Sequence, residues 1–336
     1  MTPTSLATLG QIVARVLEMY GLDAQSMFKR RGIDPALLSN PNARIPSRIW
    51  DALARDAAAH IPDPAFGLLA SRCWHPSNLG ALGYAWLTSS TLRTGLGRVV
   101  RYWRLLGEGS TTRLEESSAG PKIVLARQGQ SPVSSAVTAD FVVSLLVDMC
   151  KMNAGSSLRP AAVRLRRMRP KDGEAYRRHF GCVVYFATDE DSFTLSRADA
   201  DRPLPTSNRQ LAATLDRTLA EQLAHLDKRD VVARCQACLL DQLSSGELSE
   251  DAMAEQLHMS RRTLQRKLAE ADLTYQKLVD DTRRDLAMRH LEDPRHSITD
   301  VTFLLGFSQQ SAFTRAFRRW TGMSPTAYRA QHSVAA

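Results

Sequence analysis

Cysteine is too scarce and too scattered in this chain to build a disulfide framework. Five thiols, Cys73, Cys150, Cys182, Cys235 and Cys238, are spread over 336 residues, and an odd, dispersed set reads as packed side chains. Cys235 and Cys238 form a CxxC, but no second pair or nearby His pair completes a zinc site. No metal and no cofactor are therefore expected. No basic segment followed by an apolar stretch opens the sequence, so residues 1–20 do not read as a secretion signal. The longest uncharged run, Cys73–Leu92, is interrupted by Pro76, Gly80 and Gly83 and would make a poor membrane span. These absences point to a cytoplasmic protein. GxGxxG, GxSxG, HExxH and phosphate-loop motifs are also missing. Ordinary nucleotide, hydrolase and metalloprotease chemistry thus finds no support, and no catalytic residue is assigned.

Acid is what two short C-terminal stretches lack. The formal net charge is +9, which invites a nucleic-acid partner, yet the bulk of that charge is misplaced for one. Residues 230–336 carry 14 Lys and Arg against 14 Asp and Glu, and residues 1–229 carry 30 against 21. Locally the picture reverses. Ser260–Leu268 holds four bases and Ser308–Thr321 three, with no acid in either.

The two stretches are copies of one device. MAEQLHMSRRTLQRKL begins at Met253, and VTFLLGFSQQSAFTRAF begins at Val301. Leu257, Met259 and Ser260 recur as Leu305, Phe307 and Ser308. One inserted residue later, Leu264, Arg266 and Leu268 recur as Phe313, Arg315 and Phe317. Each copy reads as a helix, a tight turn and a second helix. In the second copy Phe313, Ala316, Phe317 and Trp320 make one apolar face, which leaves Gln310, Ser311, Thr314, Arg315 and Arg318 outside. In the first, Leu264 and Leu268 face inward while Arg262, Gln265 and Arg266 face out. Gly306 suits the left-handed turn, and Ser308 is expected to cap the helix after it.

Those outward side chains suit base edges: Arg bonds guanine bidentately, Gln bonds adenine, and Thr meets a thymine methyl. Arg261, Lys267 and Arg319 flank them as phosphate contacts. Between the copies, TYQKLVDDTRRDLAMRHLED lacks Gly and Pro, and Leu278, Thr282, Leu286 and Leu291 mark a packed stripe. A helix of about five turns, roughly 27 Å, follows. It could hold two recognition helices near the roughly 34 Å spacing of successive major grooves.

These residues closely resemble the DNA-binding domain of the AraC/XylS family of bacterial transcription regulators. The likeness covers roughly residues 231–332 and is most specific in ITDVTFLLGFSQQSAFTRAFRRWTGMSPTAYR, from Ile298 to Arg329. It implies seven helices with two helix-turn-helix units. It also implies base-reading side chains at Arg262, Gln265, Arg266, Gln310, Ser311, Thr314 and Arg315. Two positions depart from the family pattern. His258 stands where the first turn often has Gly or Asn, and Thr302 replaces the usual Ala, which would loosen packing there.

Upstream, GALGYAWLTSSTLRTGLGRVVRYWRLL from Gly80 and FGCVVYFATDEDSFTLSRADADRPLP from Phe180 resemble the arabinose-binding-like regulatory domain of that family. Such domains are implied to bind a small effector or to dimerise. Helices are expected at Leu9–Leu17, Ser47–His60, Leu79–Leu87, Leu92–Leu106 and Ala136–Asn153. Strands are expected at Thr111–Glu115 and Lys122–Arg127 around SSAG, and at Val163–Arg167, Val183–Phe186 and Phe193–Leu195. The fold expected is thus an α+β N-terminal regulatory domain (residues 1–205), a linking segment (206–230) and an all-α DNA-binding domain (231–336). In the last of these a long helix joins the two helix-turn-helix units.

In the linking segment Leu211, Leu215, Leu219, Leu223 and Leu226 stack at helical spacing, suiting either a dimerisation or interdomain helix or a domain-closing one. Trp74, Tyr84, Trp86, Tyr102 and Trp103 are the candidates for an effector pocket, although aromatic residues are more often core. The positive surplus of this half suits an anionic effector or an acidic partner such as RNA polymerase. The main reading is a DNA-binding transcription regulator, an activator by family analogy, acting as a homodimer. The alternative is a cysteine-based alkyl-transfer enzyme fused to a DNA-binding domain, for which Cys182 near His179 is the available thiol.

Overall fold

The computed structural model describes residues 3–127, 132–226, 231–243, 249–293 and 295–332. The chain divides into two compact units between Leu215 and Asp216, inside the helix Arg209–Leu226. Residues 227–230 of the linking segment expected at 206–230 lie outside the described residues.

The first unit is α+β. Its strands are β1 (Thr4–Leu6), β2 (Arg44–Pro46), β3 (Ser110–Glu116), β4 (Pro121–Arg127), β5 (Ala162–Leu165), β6 (Val184–Phe186) and β7 (Asp191–Thr194). β1 and β2 pair in an antiparallel ribbon, and the other five form a sheet in the order β3-β4-β7-β5-β6. β3 and β4 are the hairpin read around SSAG, with Ser117 and Gly120 closing the turn. β5 and β6 run parallel, which a hairpin cannot achieve; the amphipathic helix Gly173–Phe180 makes the crossover.

Behind the sheet lies the helix Pro132–Ala154, packed against β7 and against the helices Ser47–His60 and Ala70–Cys73. Its Asp140 is fully buried and accepts a hydrogen bond from Tyr176 Oη at 2.6 Å. Arg167, just beyond β5, pairs with the same carboxylate. A buried charge requires such partners, and these three pin the crossover to the central helix.

Most expected elements recur within a few residues, with two interruptions. The helix expected over Leu79–Leu87 begins only at Ala81, because Gly80 takes φ +60° and ψ −145°, a conformation closed to most side chains. Leu92–Leu106 breaks at Tyr102 into Leu92–Arg101 and Trp103–Leu106. The leucine stripe is only partly buried. Leu219 and Leu223 are buried, Leu215 and Leu226 half-buried and Leu211 exposed, and Ala212, Asp216 and Ala220 complete the buried set.

The second unit contains seven described helices after residue 230: Val231–Gln242, Glu250–Gln256, Arg261–Ala269, Tyr275–Leu291, Ile298–Leu304, Gln310–Thr321 and Pro325–His332. They build two small cores. The first gathers Leu239, Met253, Leu257, Leu264, Leu268 and Leu278 with Cys235, and Cys238 packs against it. The second gathers Leu291, Val301, Leu305, Phe313, Phe317 and Tyr328. Tyr275–Leu291 belongs to both. It gives Tyr275, Leu278 and Val279 to the first core and Ala287 and Leu291 to the second, while Leu286 touches each. Its 17 residues span about 25 Å at the usual rise. Arg289 on this helix pairs with the buried Asp216.

Candidate nucleic-acid interface

Both turns of the second unit are built alike. Glu250–Gln256 ends with His258 N–H donating to Glu255 O and Met259 N–H to Ala254 O, each at 2.9 Å. Ile298–Leu304 ends with Gly306 N–H donating to Phe303 O at 2.9 Å and Phe307 N–H to Thr302 O at 3.1 Å. This pair of bonds satisfies the last carbonyls of a helix and needs one left-handed residue. Gly306 fills that place at φ +71° and His258 at φ +56°. The departure at His258 is therefore accommodated in the left-handed well, with the strain a non-glycine residue brings.

The recognition helices start differently. Ser260 accepts from the Thr263 amide at 3.2 Å and caps Arg261–Ala269. The expected cap at Ser308 does not form: the inserted residue places Gln309 at the N-cap of Gln310–Thr321, with no side-chain capping bond. Thr302 is also better placed than expected. It is wholly buried, and its hydroxyl donates to Ile298 O at 2.8 Å, so the extra polar atom is satisfied and packing is kept.

The outward faces lie as the periodicity requires. Phe313, Ala316 and Phe317 are buried and Trp320 half-buried, while Gln310, Ser311, Arg315 and Arg318 are exposed and Thr314 is intermediate. On the first recognition helix, Leu264 and Leu268 are buried and Arg261, Arg262, Gln265 and Arg266 are exposed. Among the described residues, Arg262, Arg315 and Arg318 carry no ion pair. Gln310 Oε1 accepts from Thr299 Oγ1 at 3.2 Å.

The first face is not acid-free in three dimensions, which corrects the linear reading. Glu250 accepts from Arg261 Nε at 2.9 Å and from Gln265 Nε2 at 3.0 Å. Asp251 lies 3.2 Å from Arg261, and Glu270 pairs with Arg266 one turn along. The left-handed turn folds the start of Glu250–Gln256 beside the recognition helix, a proximity that ten or more residues of separation conceal. Arg319, a phosphate candidate, is tied to Asp280 of Tyr275–Leu291 at 3.0 Å. Exposed pairs of this kind contribute roughly 0–1 kcal/mol, so a phosphate can displace them.

Arg283 buttresses the second turn. Its Nε donates to Leu305 O at 3.0 Å, and its guanidinium stacks 4.6 Å from the Phe307 ring centre. The sequence reading overlooked it because it belongs to the connecting helix and faces inward.

With this geometry in place, comparison with known proteins decides the family. A model described as the arabinose-binding domain of AraC transcription regulators, N-terminal, matches residues 21–204, and a helix-turn-helix domain model matches residues 253–331. The chain belongs to the AraC family. It is a DNA-binding transcription regulator with an N-terminal ligand-binding domain. This AraC-family chain is 28% identical to the ornithine utilization regulator of Pseudomonas aeruginosa, over 92% of this chain and 91% of that protein. It is also 28% identical to the transcriptional regulator VirS of Mycobacterium tuberculosis, over 94% and 93% of the two chains. The crystal structure of the transcriptional regulator CdpR from Pseudomonas aeruginosa aligns over 95% of this chain and 98% of its own, at 23% identity and a TM-score of 0.48.

The alkyl-transfer alternative finds no counterpart in these relatives. Burial pushes the Cys182 thiol up to about 11, the reverse of what a reactive thiolate needs. Burial, and Lys151 beside it, pushes His179 down to about 4.

The N-terminal domain holds a cavity of about 170 Å³. Of the five aromatic candidates for an effector pocket, Trp103 lines it. The other four do not. Trp86 and Tyr102 are wholly buried, Trp86 bonding Met149 O at 3.0 Å. Trp74 bonds Asp148 at 2.7 Å, and Tyr84 is exposed. Trp50, which the sequence reading passed over, lines the cavity. The lining contains no Lys, Arg or His, so an anionic effector gains no counter-charge there.

Proposed function

We propose that this regulator reads two successive major grooves on one face of a duplex, one with each recognition helix. The observation that carries this reading is the pair of matching turns, each presenting an exposed Arg- and Gln-bearing face, fixed to opposite halves of one helix. Arg262, Gln265 and Arg266, then Gln310, Ser311, Thr314 and Arg315, are assigned to base edges. Arg261, Lys267, Arg318 and Arg319 are assigned to phosphate or groove-edge contacts. The regulatory part is taken as residues 1–205, joined through 206–230 to the DNA-binding part at 231–336. It senses a small molecule, pairs two copies of the chain, and acts in the cytoplasm as an activator that contacts RNA polymerase.

A mobility-shift assay on the protein's own upstream DNA tests the reading faces. Arg266→Ala and Arg315→Ala are each expected to weaken binding by about 1–3 kcal/mol and to relax base preference at one position. Unchanged affinity in both variants would overturn the assignment.

A further inference from the structure

We infer that the N-terminal domain carries a second DNA contact: the basic crossover between β5 and β6 grips the phosphate backbone outside the base pairs that the recognition helices read. The inference needs only that the chain binds DNA, not that it reads two successive grooves.

The positive surplus of this domain is not used in the cavity, whose lining contains no base. It is gathered in one segment. Residues 159–178 carry eight Lys and Arg against two Asp and Glu, so six of the nine surplus charges of the whole chain lie in twenty residues. Crowded like charges repel and destabilise the compact state, and the chain itself relieves them only in part. Arg167 is taken up by the buried Asp140. Asp172 lies 3.5 Å from Arg178, and Glu174 lies 3.6 Å from Arg177 and 3.8 Å from Arg169. Among the described residues, the side chains of Arg159, Arg164, Arg166 and Lys171 are exposed and pair with no carboxylate; Arg159 bonds the carbonyls of Ser156 and Leu158. Of the acids that follow β6, Glu190 accepts from Lys122 and Asp191 is buried, which leaves Asp189 exposed.

The unpaired cations are also held in place. Arg164 and Arg166 stand two residues apart, on the side opposite the buried Val163 and Leu165. At the usual strand rise that is about 6.6 Å, comparable with neighbouring phosphates on one strand. Arg164 lies 4.8 Å from the ring centre of the exposed Tyr185 on β6, a contact that fixes the guanidinium without neutralising it. Around the helix Gly173–Phe180, Arg169 lies against Gly173 at its start and Arg159 against Gly181 past its end, where a Cβ on either glycine would strike the arginine.

The kind of cation points to phosphate. Seven of the eight bases are arginine, whose planar fork bonds phosphate oxygens bidentately. An acidic protein surface could meet the same cations, but DNA is the polyanion this regulator already binds. Once the recognition helices engage, the covalent link keeps the basic segment at high effective concentration near the same duplex.

The test titrates the full-length chain onto two duplexes over a range of salt. One is limited to the site the recognition helices read, and the other extends it on each side by two helical turns, about 20 base pairs. The wild type is expected to bind the longer duplex more tightly and with a steeper salt dependence. Arg164→Gln with Arg166→Gln should make the logarithmic salt slope on the longer duplex shallower by about 2, at about 0.9 for each lost phosphate contact, and leave the shorter duplex unchanged. Arg164→Lys with Arg166→Lys keeps the charge and should keep the slope, which a purely structural role for the arginines would not. Lys171→Gln, in the turn before the crossover helix, should lower the slope by about 1 and serves if the double variant fails to fold. Preference for the site over unrelated DNA of equal length should survive in all of these variants. Arg266→Ala should do the reverse, relaxing preference and keeping the advantage of the longer duplex, so a failure of the reading faces is told apart. Equal binding of both duplexes by the wild type, or unchanged slopes in the Gln variants, would overturn the inference. Gln variants that bind both duplexes like wild type yet lose transcription with purified RNA polymerase would overturn it in favour of an acidic protein partner.

Discussion

At residue scale the reading faces combine free and engaged cations. Arg266 is paired with Glu270 on its own helix, so a base edge must compete with that carboxylate. Glu270→Gln is therefore expected to tighten DNA binding several-fold at low salt, with the gain fading as salt screens it; titration at two ionic strengths checks this. His258 holds φ +56°, where glycine is unstrained. His258→Gly should raise stability by about 0.5–1 kcal/mol in chemical denaturation, and His258→Val should lower it. Burial, with His296 and Arg289 beside it, pushes His290 down to about 4. Because the unfolded chain then takes up the proton first, His290 stabilises the fold above the ordinary histidine range, and that stability is lost as pH falls from about 6.5 toward 4. Replacing it with Gln should shrink the loss of stability between pH 7 and pH 5 by about 1–2 kcal/mol. The outward positions Arg262 and Arg315 were legible in the sequence, since helical period alone places them opposite Leu264 and Phe313. The Glu250 contacts to Arg261 and Gln265 were not, because they depend on how a turn folds one helix beside the next.

At the scale of elements, Tyr275–Leu291 joins the two helix-turn-helix units by lending a different half to each core. One added residue rotates everything beyond it by about 100° and shifts it about 1.5 Å. An alanine inserted between Val279 and Asp280 should thus leave both small cores nearly intact while turning one reading face away from the other. The expected outcome is retained binding to half-sites and loss of tight binding to the full site, measured on DNA fragments carrying one or both halves. Gly, Pro and capping residues made this helix and its neighbours readable. The strands around the crossover Gly173–Phe180 were also readable, by their alternation. The short strands β1 and β2 escaped, because their pairing joins segments some forty residues apart. The missing cap at Ser308 escaped for a related reason: the inserted residue could be seen, but not on which side of the cap it would fall.

At the scale of the whole molecule, one chain carries an α+β ligand-binding domain and an all-α DNA-binding domain, and both were legible as classes. The cavity was not. Trp50 and its apolar neighbours come from segments scattered between Ser5 and Met149, and no linear pattern announces that they converge. The two recognition helices, by contrast, repeat visibly along the chain. Methylation-protection footprinting on the protein's own upstream DNA tests their joint action most directly. The account predicts two clusters of protected guanine N7 positions, centred about 10 base pairs apart on one face of the duplex, with Arg266→Ala exposing one cluster and Arg315→Ala the other. A single protected cluster, or two that both variants expose alike, would contradict it.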